Sequence, residues 1–160
     1  MRFPSGRSGH AGGDVPGRAG DELLALPVRA RGIQLGRVVD TLLDGEARRA
    51  VGFDVVCGDE AHRFLPLPTA QIGVGEITIP SPLVLLAGDE LNFYRSRTVP
   101  LHELRGAPVI VDGIPAGELR DVVIARDGEL PDLVVETGGR TVRIPYRDSV
   151  TLASQARPAA

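Results

Sequence analysis

The chain has 160 residues, of which 42% are hydrophobic and 24% charged, so it can bury a core and its composition is not that of a disordered protein. Its net charge of −3 provides no overall basic character for holding a nucleic-acid backbone, and one cysteine cannot form an internal disulfide. The 20 glycines and 13 prolines predict frequent turns between short elements, which favours β structure over helix.

The first 20 residues are rich in Gly, Ser, Arg and Pro and have little to bury, so we predict a disordered tail. They lack the apolar stretch of a signal peptide, and no apolar run approaches the ~20 residues that span a bilayer. The single cysteine, Cys57, suits a reducing compartment. We therefore expect a cytoplasmic protein that does not itself span a membrane.

From residue 21 onwards, apolar residues recur with a period of two, as in strands with one buried face. The pattern predicts strands at residues 36–44, 51–56, 63–67 and 75–79. Residues 66–72 predict a turn or a single helical turn, and the aliphatic run 83–86 predicts a buried strand. Beyond the short segment 101–104, no helical apolar stripe is sustained.

The second part of the chain repeats the first at a spacing of 81 residues. Gly36 and Asp40 return as Gly117 and Asp121, and the apolar positions around them are kept. Four further features then follow in the same order in both parts. They are a turn with glycine, an apolar strand, a strand with proline and a closing β run. We expect Gly36 and Gly117 to permit a turn or a close backbone approach.

A module of about 60 residues with five or six short strands suits a small barrel, because closing the sheet removes its exposed edges. We predict an all-β protein of two tandem small barrels packed as a pseudo-twofold pair, with short helical turns. The predicted boundaries are a disordered tail (1–20), copy 1 (21–85), copy 2 (86–153) and a disordered C-terminal end (154–160).

These landmarks resemble the PRC-barrel family, named after the cytoplasmic domain of the photosynthetic reaction-centre H subunit. The resemblance covers roughly residues 23–152 and is carried by the two Gly-x-x-x-Asp strands, the apolar strands after them, and segments 64–67, 101–109 and 143–146. It implies PRC-type barrels and a non-catalytic adaptor, as in electron-transfer complexes and ribosome maturation factors. Residues 64–109 are also similar to the PRC region of some MgtE-type magnesium transporters, but ion transport is not carried over.

Residues capable of chemistry are scattered along the chain. No ligand partner at metal spacing accompanies Cys57 or the three histidines, His10, His62 and His102. Asp40 and Asp121 occupy equivalent positions, but a repeated strand aspartate more often hydrogen-bonds local backbone or faces solvent than acts as a catalytic carboxylate. We therefore expect no metal, no cofactor and no enzymatic activity.

One local feature is a candidate partner-binding site. Arg140, Arg143 and Arg147 cluster around Tyr146, and arginine with an aromatic residue suits a protein hot spot or an RNA loop. The alternative is ordinary strand ends that face solvent, with Tyr146 in the core.

Two functions follow as hypotheses. The first is an adaptor that docks to a protein partner, including a membrane-associated complex, through an exposed sheet face or edge. The second is a ribosome- or RNA-associated maturation factor, which the acidic net charge and the second PRC-like copy make the weaker hypothesis. Whether the protein forms a homodimer is left open.

Overall fold

The computed structural model describes residues 17–153, which form short strands, three short α-helices and two 3-10 turns, at Leu67–Thr69 and Pro82–Val84. The earlier elements are β1 (Arg18–Ala19), α1 (Gly20–Leu23), β2 (Pro27–Ala30), β3 (Ile33–Asp44), β4 (Arg49–Cys57), β5 (His62–Pro66), β6 (Gln71–Ile72) and β7 (Ile77–Thr78). The later elements are α2 (Asp89–Arg97), β8 (Val99–Pro100), α3 (Leu101–Leu104), β9 (Pro108–Val111), β10 (Ile114–Ile124), β11 (Asp132–Thr137), β12 (Arg140–Pro145) and β13 (Val150–Leu152).

The strands form two sheets. In the first, the order is β5-β4-β3-β2-β7-β6, and β8 also pairs with β3. In the second, the order is β12-β11-β10-β9-β13, and β1 also pairs with β10. The predicted β class is therefore confirmed, whereas the nine-residue helix α2 was not predicted. Within residues 17–153 neither strand path closes into a ring, so the closed barrels are not found.

Two short strands pair with a distant sheet: β1, which directly precedes copy 1, joins the sheet of copy 2, and β8 of copy 2 joins the sheet of copy 1. β1 pairs with the end of β10, where Ala19 lies opposite Val123, and β8 pairs with the end of β3, where Val99 lies opposite Leu43. β1 and β8 are themselves separated by the 81-residue spacing. β1 and β8 therefore hold equivalent positions in the repeat. The sequence pattern did not predict either strand.

The turns that precede β4 and β11 also bind each other. The Ala50 N–H donates to the carbonyl oxygen of Gly128 at 2.7 Å, and the Leu130 N–H donates to the carbonyl oxygen of Arg48 at 3.1 Å. Together with the exchanged strands, these bonds join the two sheets through backbone groups from both copies.

The prediction of a disordered tail up to residue 20 is wrong for its last four residues. Residues 17–20 include β1 and the start of α1, because Arg18 and Ala19 find a distant strand partner in β10. Residues 1–16, with His10, lie outside the described part of the chain. So do residues 154–160, the predicted C-terminal end.

The aliphatic run 83–86 does not form the predicted buried strand. Ser81 begins a 3-10 turn instead, because its Oγ accepts a hydrogen bond from the Leu83 N–H at 3.1 Å and Pro82 occupies the first position of the turn. The Leu83 side chain is 88% exposed. Two other local predictions are confirmed, namely the single turn at Leu67–Thr69 and the short helix at Leu101–Leu104.

One hydrophobic core contains side chains from both copies. Phe53 of β4 and Leu133 of β11 are completely buried in this core. They hold equivalent positions in the two sheets, because Phe53 pairs with Leu65 on β5 and Leu133 pairs with Ile144 on β12. A smaller cluster forms where α2 covers the outer face of the first sheet, and it contains Leu42, Phe64 and Leu91. Burial of both sheets in one core makes the copies dependent on each other for stability.

Gly36 and Gly117 allow close approach to the neighbouring strand, as expected. A Cβ at Gly36 would lie 2.4 Å from the Val56 carbonyl oxygen, and a Cβ at Gly117 would lie 2.3 Å from the Glu136 carbonyl oxygen. Gly117 also has a φ of +139°, which side-chain-bearing residues rarely adopt. Both positions therefore require glycine.

Replacing Gly117 with alanine is expected to lower the free energy of unfolding by about 2–3 kcal/mol, since backbone strain and a shift of β11 both oppose the new Cβ. Urea denaturation followed by circular dichroism measures the loss. Gly45→Ala is the matched control, because its Cβ would meet nothing within 4 Å. Equal midpoints for the two variants would contradict this account of Gly117.

Candidate functional site

Asp121 lies on β10 with its side chain almost completely buried, and it binds the other copy. Its Oδ1 accepts a hydrogen bond from the N–H of Val122 at 2.8 Å, and its Oδ2 accepts one from the N–H of Asp21 in α1 at 3.0 Å. Arg105 lies beside this contact, with its guanidinium 2.6 Å from Asp21 and 3.6 Å from Asp121. Asp121 therefore caps the helical turn that opens copy 1.

Asp40 makes the reciprocal contact 81 residues earlier. Its Oδ1 accepts hydrogen bonds from the N–H of Thr41 at 2.8 Å and, more weakly, from the N–H of His102 in α3 at 3.4 Å. Its Oδ2 also contacts the His102 ring at Nδ1. The expected bond of each aspartate to local backbone is confirmed. The sequence did not indicate the second bond, in which each carboxylate caps a helical turn of the other copy.

A third buried carboxylate, Asp54 of β4, attaches α2 to the first sheet. It lies 2.8 Å from His62 Nδ1 on β5 and 2.9 Å from Arg95 Nη2 on α2. Cys57 is buried and has a free thiol. Among residues 17–153 no group of three or more His, Cys, Asp and Glu side chains is placed to hold a metal ion.

The four predicted binding residues lie in two places. Arg140 and Arg143 are exposed on β12, and Arg143 is 3.8 Å from Asp132 on the neighbouring strand. Tyr146 is half-buried against the core, and Arg147 is exposed beside it. The structure therefore brings Tyr146 and Arg147 together after β12 ends and leaves Arg140 and Arg143 along that strand.

Tyr146 and Arg147 line an open cleft of about 890 Å³, which we call the β13 cleft. Its walls come from the end of β3, from β8 and from β13, so both copies contribute. The apolar part contains Leu43, Val99, Leu104, Val150 and Leu152, and the charged part contains Asp44, Glu46, Arg48, Arg97 and Asp148.

A smaller cleft of about 480 Å³ lies at the matching place of the other sheet. Arg18 and Ile124 line it in the positions that Val99 and Leu43 hold in the β13 cleft. Its remaining wall comes from β6 and from the loop that follows it, including Gly73. The two clefts therefore share a position in the repeat but differ in the residues that line them.

Burial raises the pKa of Tyr146 above its usual value, although nearby Arg48, whose guanidinium is 5.7 Å from the ring centroid, opposes the rise. In a Tyr94→Phe variant, where Tyr146 is the remaining tyrosine, alkaline titration at 295 nm should give a midpoint above 10.0. Because the pKa of Tyr146 is higher in the folded chain than in the unfolded chain, the neutral hydroxyl stabilises the folded state. This stabilisation is fully present below the unfolded pKa and is lost as the pH rises through the folded pKa. A midpoint at or below that of the urea-unfolded chain would contradict burial of the hydroxyl.

No family model matches the chain, and no curated protein matches it. No helix within residues 17–153 combines the length and apolar character needed to cross a membrane. Membership of the PRC-barrel family therefore stays a prediction, and it rests on the sequence motifs described above.

Proposed function

We propose that this protein is a non-catalytic protein-interaction adaptor built from two PRC-type modules packed as a pseudo-twofold pair. The paired strands and carboxylate caps at the 81-residue spacing support the two-module arrangement. The three buried carboxylates Asp40, Asp54 and Asp121 each bind a structural partner, which favours a supporting role over acid–base chemistry.

The observation that carries the adaptor function is the open outer edge of β12. In copy 1 the matching strand β5 is covered, since the Phe64 N–H donates to the Leu86 carbonyl oxygen at 2.7 Å and the Leu86 N–H donates back at 2.8 Å. Arg143 holds the place of Phe64, because it pairs with Val134 as Phe64 pairs with Asp54. Among residues 17–153 no strand or isolated bridge pairs with this edge of β12. An open edge can add a strand from another protein.

The charges on β12 favour a different protein over a second copy of this chain. Antiparallel pairing of β12 with itself would bring Arg140 and Arg143 close to the same arginines of the partner strand, and like charges on adjacent strands are destabilising. A heterologous partner with acidic or neutral side chains avoids this cost.

The test is affinity purification of the tagged full chain from its native cells at low and high salt, followed by mass spectrometry and reconstitution with the purified partner. We expect one partner that is retained at high salt and binds again when purified. Arg143→Ser/Arg147→Ser should weaken that binding, whereas Arg37→Ser/Arg126→Ser, which changes two exposed arginines elsewhere, should not.

Different outcomes distinguish the alternatives. Ribosomal proteins that are retained at low salt and released at high salt would favour the ribosome- or RNA-associated function, since phosphate contacts depend steeply on salt. Recovery of the bare protein under every condition, including after cross-linking in cells, would overturn the adaptor proposal.

A further inference from the structure

The two clefts differ in the charge of their walls. The β13 cleft is lined by three acidic side chains and three arginines, whose charges balance. The smaller cleft is lined by two arginines, Arg18 and Arg126, and by no acidic side chain of the described residues. These arginines hold the places that Val99 and Gly45 hold in the β13 cleft, at the 81-residue spacing. The positive charge therefore belongs to the smaller cleft alone and is not a property of the repeat.

Arg18 is held in place at one wall of the smaller cleft. Its Nη1 donates to the Gly73 carbonyl oxygen at 2.8 Å, and its Nε donates to Glu22 Oε2 at 3.1 Å. A weaker contact of 3.4 Å joins its Nη2 to the Val74 carbonyl oxygen. A guanidinium has more N–H donors than these contacts use, so N–H groups of Arg18 remain without a partner among the described residues. Glu22 offsets the charge of Arg18 but does not line the cleft.

Arg126 supplies the unpaired charge of the smaller cleft. Its side chain is exposed, and no carboxylate within residues 17–153 forms an ion pair with it. The neighbouring carboxylate of Asp127 accepts a hydrogen bond from the Glu129 N–H at 3.0 Å within its own turn and does not line the cleft. An anion that enters the cleft therefore meets arginine and no carboxylate of the lining.

Most of the other side chains that line the smaller cleft are apolar. Ile124 and Ala125 are buried, Ile72 beside them is half-buried, and Val74 is exposed at the rim. The volume of about 480 Å³ falls within the range of about 300–1,000 Å³ that small-molecule sites occupy. Such sites combine apolar walls with a few polar groups, as this cleft does.

The charge and the apolar surface together define the class of ligand. A phosphate ester carries more negative charge than the one unpaired arginine balances, and its polar body does not match Ile72 and Ile124. A neutral apolar molecule leaves the Arg126 guanidinium without a partner. A monovalent acid with an apolar body satisfies both, because its carboxylate pairs with arginine and its body buries apolar surface.

We propose that the smaller cleft binds a small aliphatic or aromatic carboxylic acid in its ionised form. Arg126 and the unpartnered N–H groups of Arg18 bind the carboxylate, and the apolar body packs against Ile72 and Ile124. This site goes beyond the proposed adaptor function, because it takes a small molecule and uses no residue of β12.

The experiment titrates the isotope-labelled full chain with octanoate and follows the backbone amide signals by NMR. We expect saturable shifts that centre on residues 70–74 and 124–126. Octylammonium and octanol have a similar alkyl chain without the negative charge, so each should bind at least about ten-fold more weakly than octanoate. Acetate has the carboxylate without the apolar body and should also bind at least about ten-fold more weakly.

Arg126→Ala tests the contribution of the unpaired charge. It should raise the Kd for octanoate at least about five-fold, whereas Arg126→Lys keeps the charge and should raise the Kd less. Arg147→Ala is the matched control, because Arg147 is an exposed arginine that lines the β13 cleft. The control should change the Kd by less than about two-fold. The NMR spectrum of each variant without ligand verifies its fold.

Several results would overturn the proposal. They are the absence of saturable shifts with octanoate, binding of octylammonium or octanol as tight as that of octanoate, shifts that centre on the β13 cleft, or a Kd unchanged by Arg126→Ala. Binding of octanoate only to a chain that begins at residue 17, or its displacement by the purified protein partner, would also overturn it. The cleft would then be the site of the chain's own first residues or of another protein. The adaptor function is tested separately through binding of that partner, and a failure of octanoate binding leaves it unchanged.

Discussion

The Asp40→Ala/Asp121→Ala variant is expected to lose about 4 kcal/mol of unfolding free energy, at about 2 kcal/mol for each carboxylate. Each substitution removes the acceptor for two backbone N–H groups, one of them in the other copy. Arg105 also loses a carboxylate neighbour when Asp121 is removed. Urea denaturation followed by circular dichroism measures the loss for the single and double variants.

The control for these carboxylates is Asp148→Ala, which removes a side chain that is 96% exposed and pairs with Arg48 at the surface. Its effect should stay below about 1 kcal/mol, since exposed ion pairs contribute little. Asp121→Asn should recover part of the loss, because the amide oxygen still accepts a hydrogen bond. A double variant as stable as Asp148→Ala would show that the caps do not hold the copies together.

Replacing Phe53 with alanine is expected to lower the unfolding free energy by about 3–5 kcal/mol. The ring is 0% exposed and lies in the core that both sheets share, so its loss leaves a cavity that packed neighbours on both sides cannot fill. Because the core is shared, we expect a single unfolding transition at a lower urea concentration.

Ile114→Ala is the matched control for the core substitution, since Ile114 is a large aliphatic residue that is 68% exposed. It should change the unfolding free energy by less than about 0.5 kcal/mol. Two separate transitions in Phe53→Ala, with one at the wild-type midpoint, would contradict a shared core and would mean that the copies unfold independently.

The strands and the repeat could be predicted from the sequence because they depend on local patterns. Period-two alternation marked β3, β4 and β5, and the recurrence of Gly36 and Asp40 at Gly117 and Asp121 gave the spacing that relates the two sheets. The sequence also predicted that Gly36 and Gly117 permit a turn or a close backbone approach, whereas the carbonyl oxygens that exclude a Cβ there lie on the neighbouring strands β4 and β11.

Other elements could not be predicted, because their stability depends on distant partners. β1 contains Arg18 and Ala19, which show no strand pattern and are ordered by pairing with β10. α2 has a weak apolar stripe with Leu91 as its buried residue, and contacts with Phe64 and Asp54 on the first sheet hold it in place. The intrinsic strand or helix propensity of a short segment does not depend on such distant contacts, so it cannot predict these elements.

The candidate site was predicted in part. Proximity along the chain placed Tyr146 and Arg147 together, and both line the β13 cleft. The opposite walls, Leu43 and Val99, come from residues far away in the sequence, so the cleft itself was not predictable. The free edge of β13 is likewise a property of the sheet order and not of the residues in that strand.

The exchange of β1 and β8 has a consequence for synthesis of the protein on the ribosome. Asp21 and its capping partner Asp121 are 100 residues apart, so at about 5–20 residues per second Asp21 is synthesised about 5–20 s before Asp121. During that interval the end of β3 also lacks β8, and an unpaired strand end can bind other nascent chains. The greatest risk of misassembly therefore falls during translation, when chaperone protection of the nascent chain matters most.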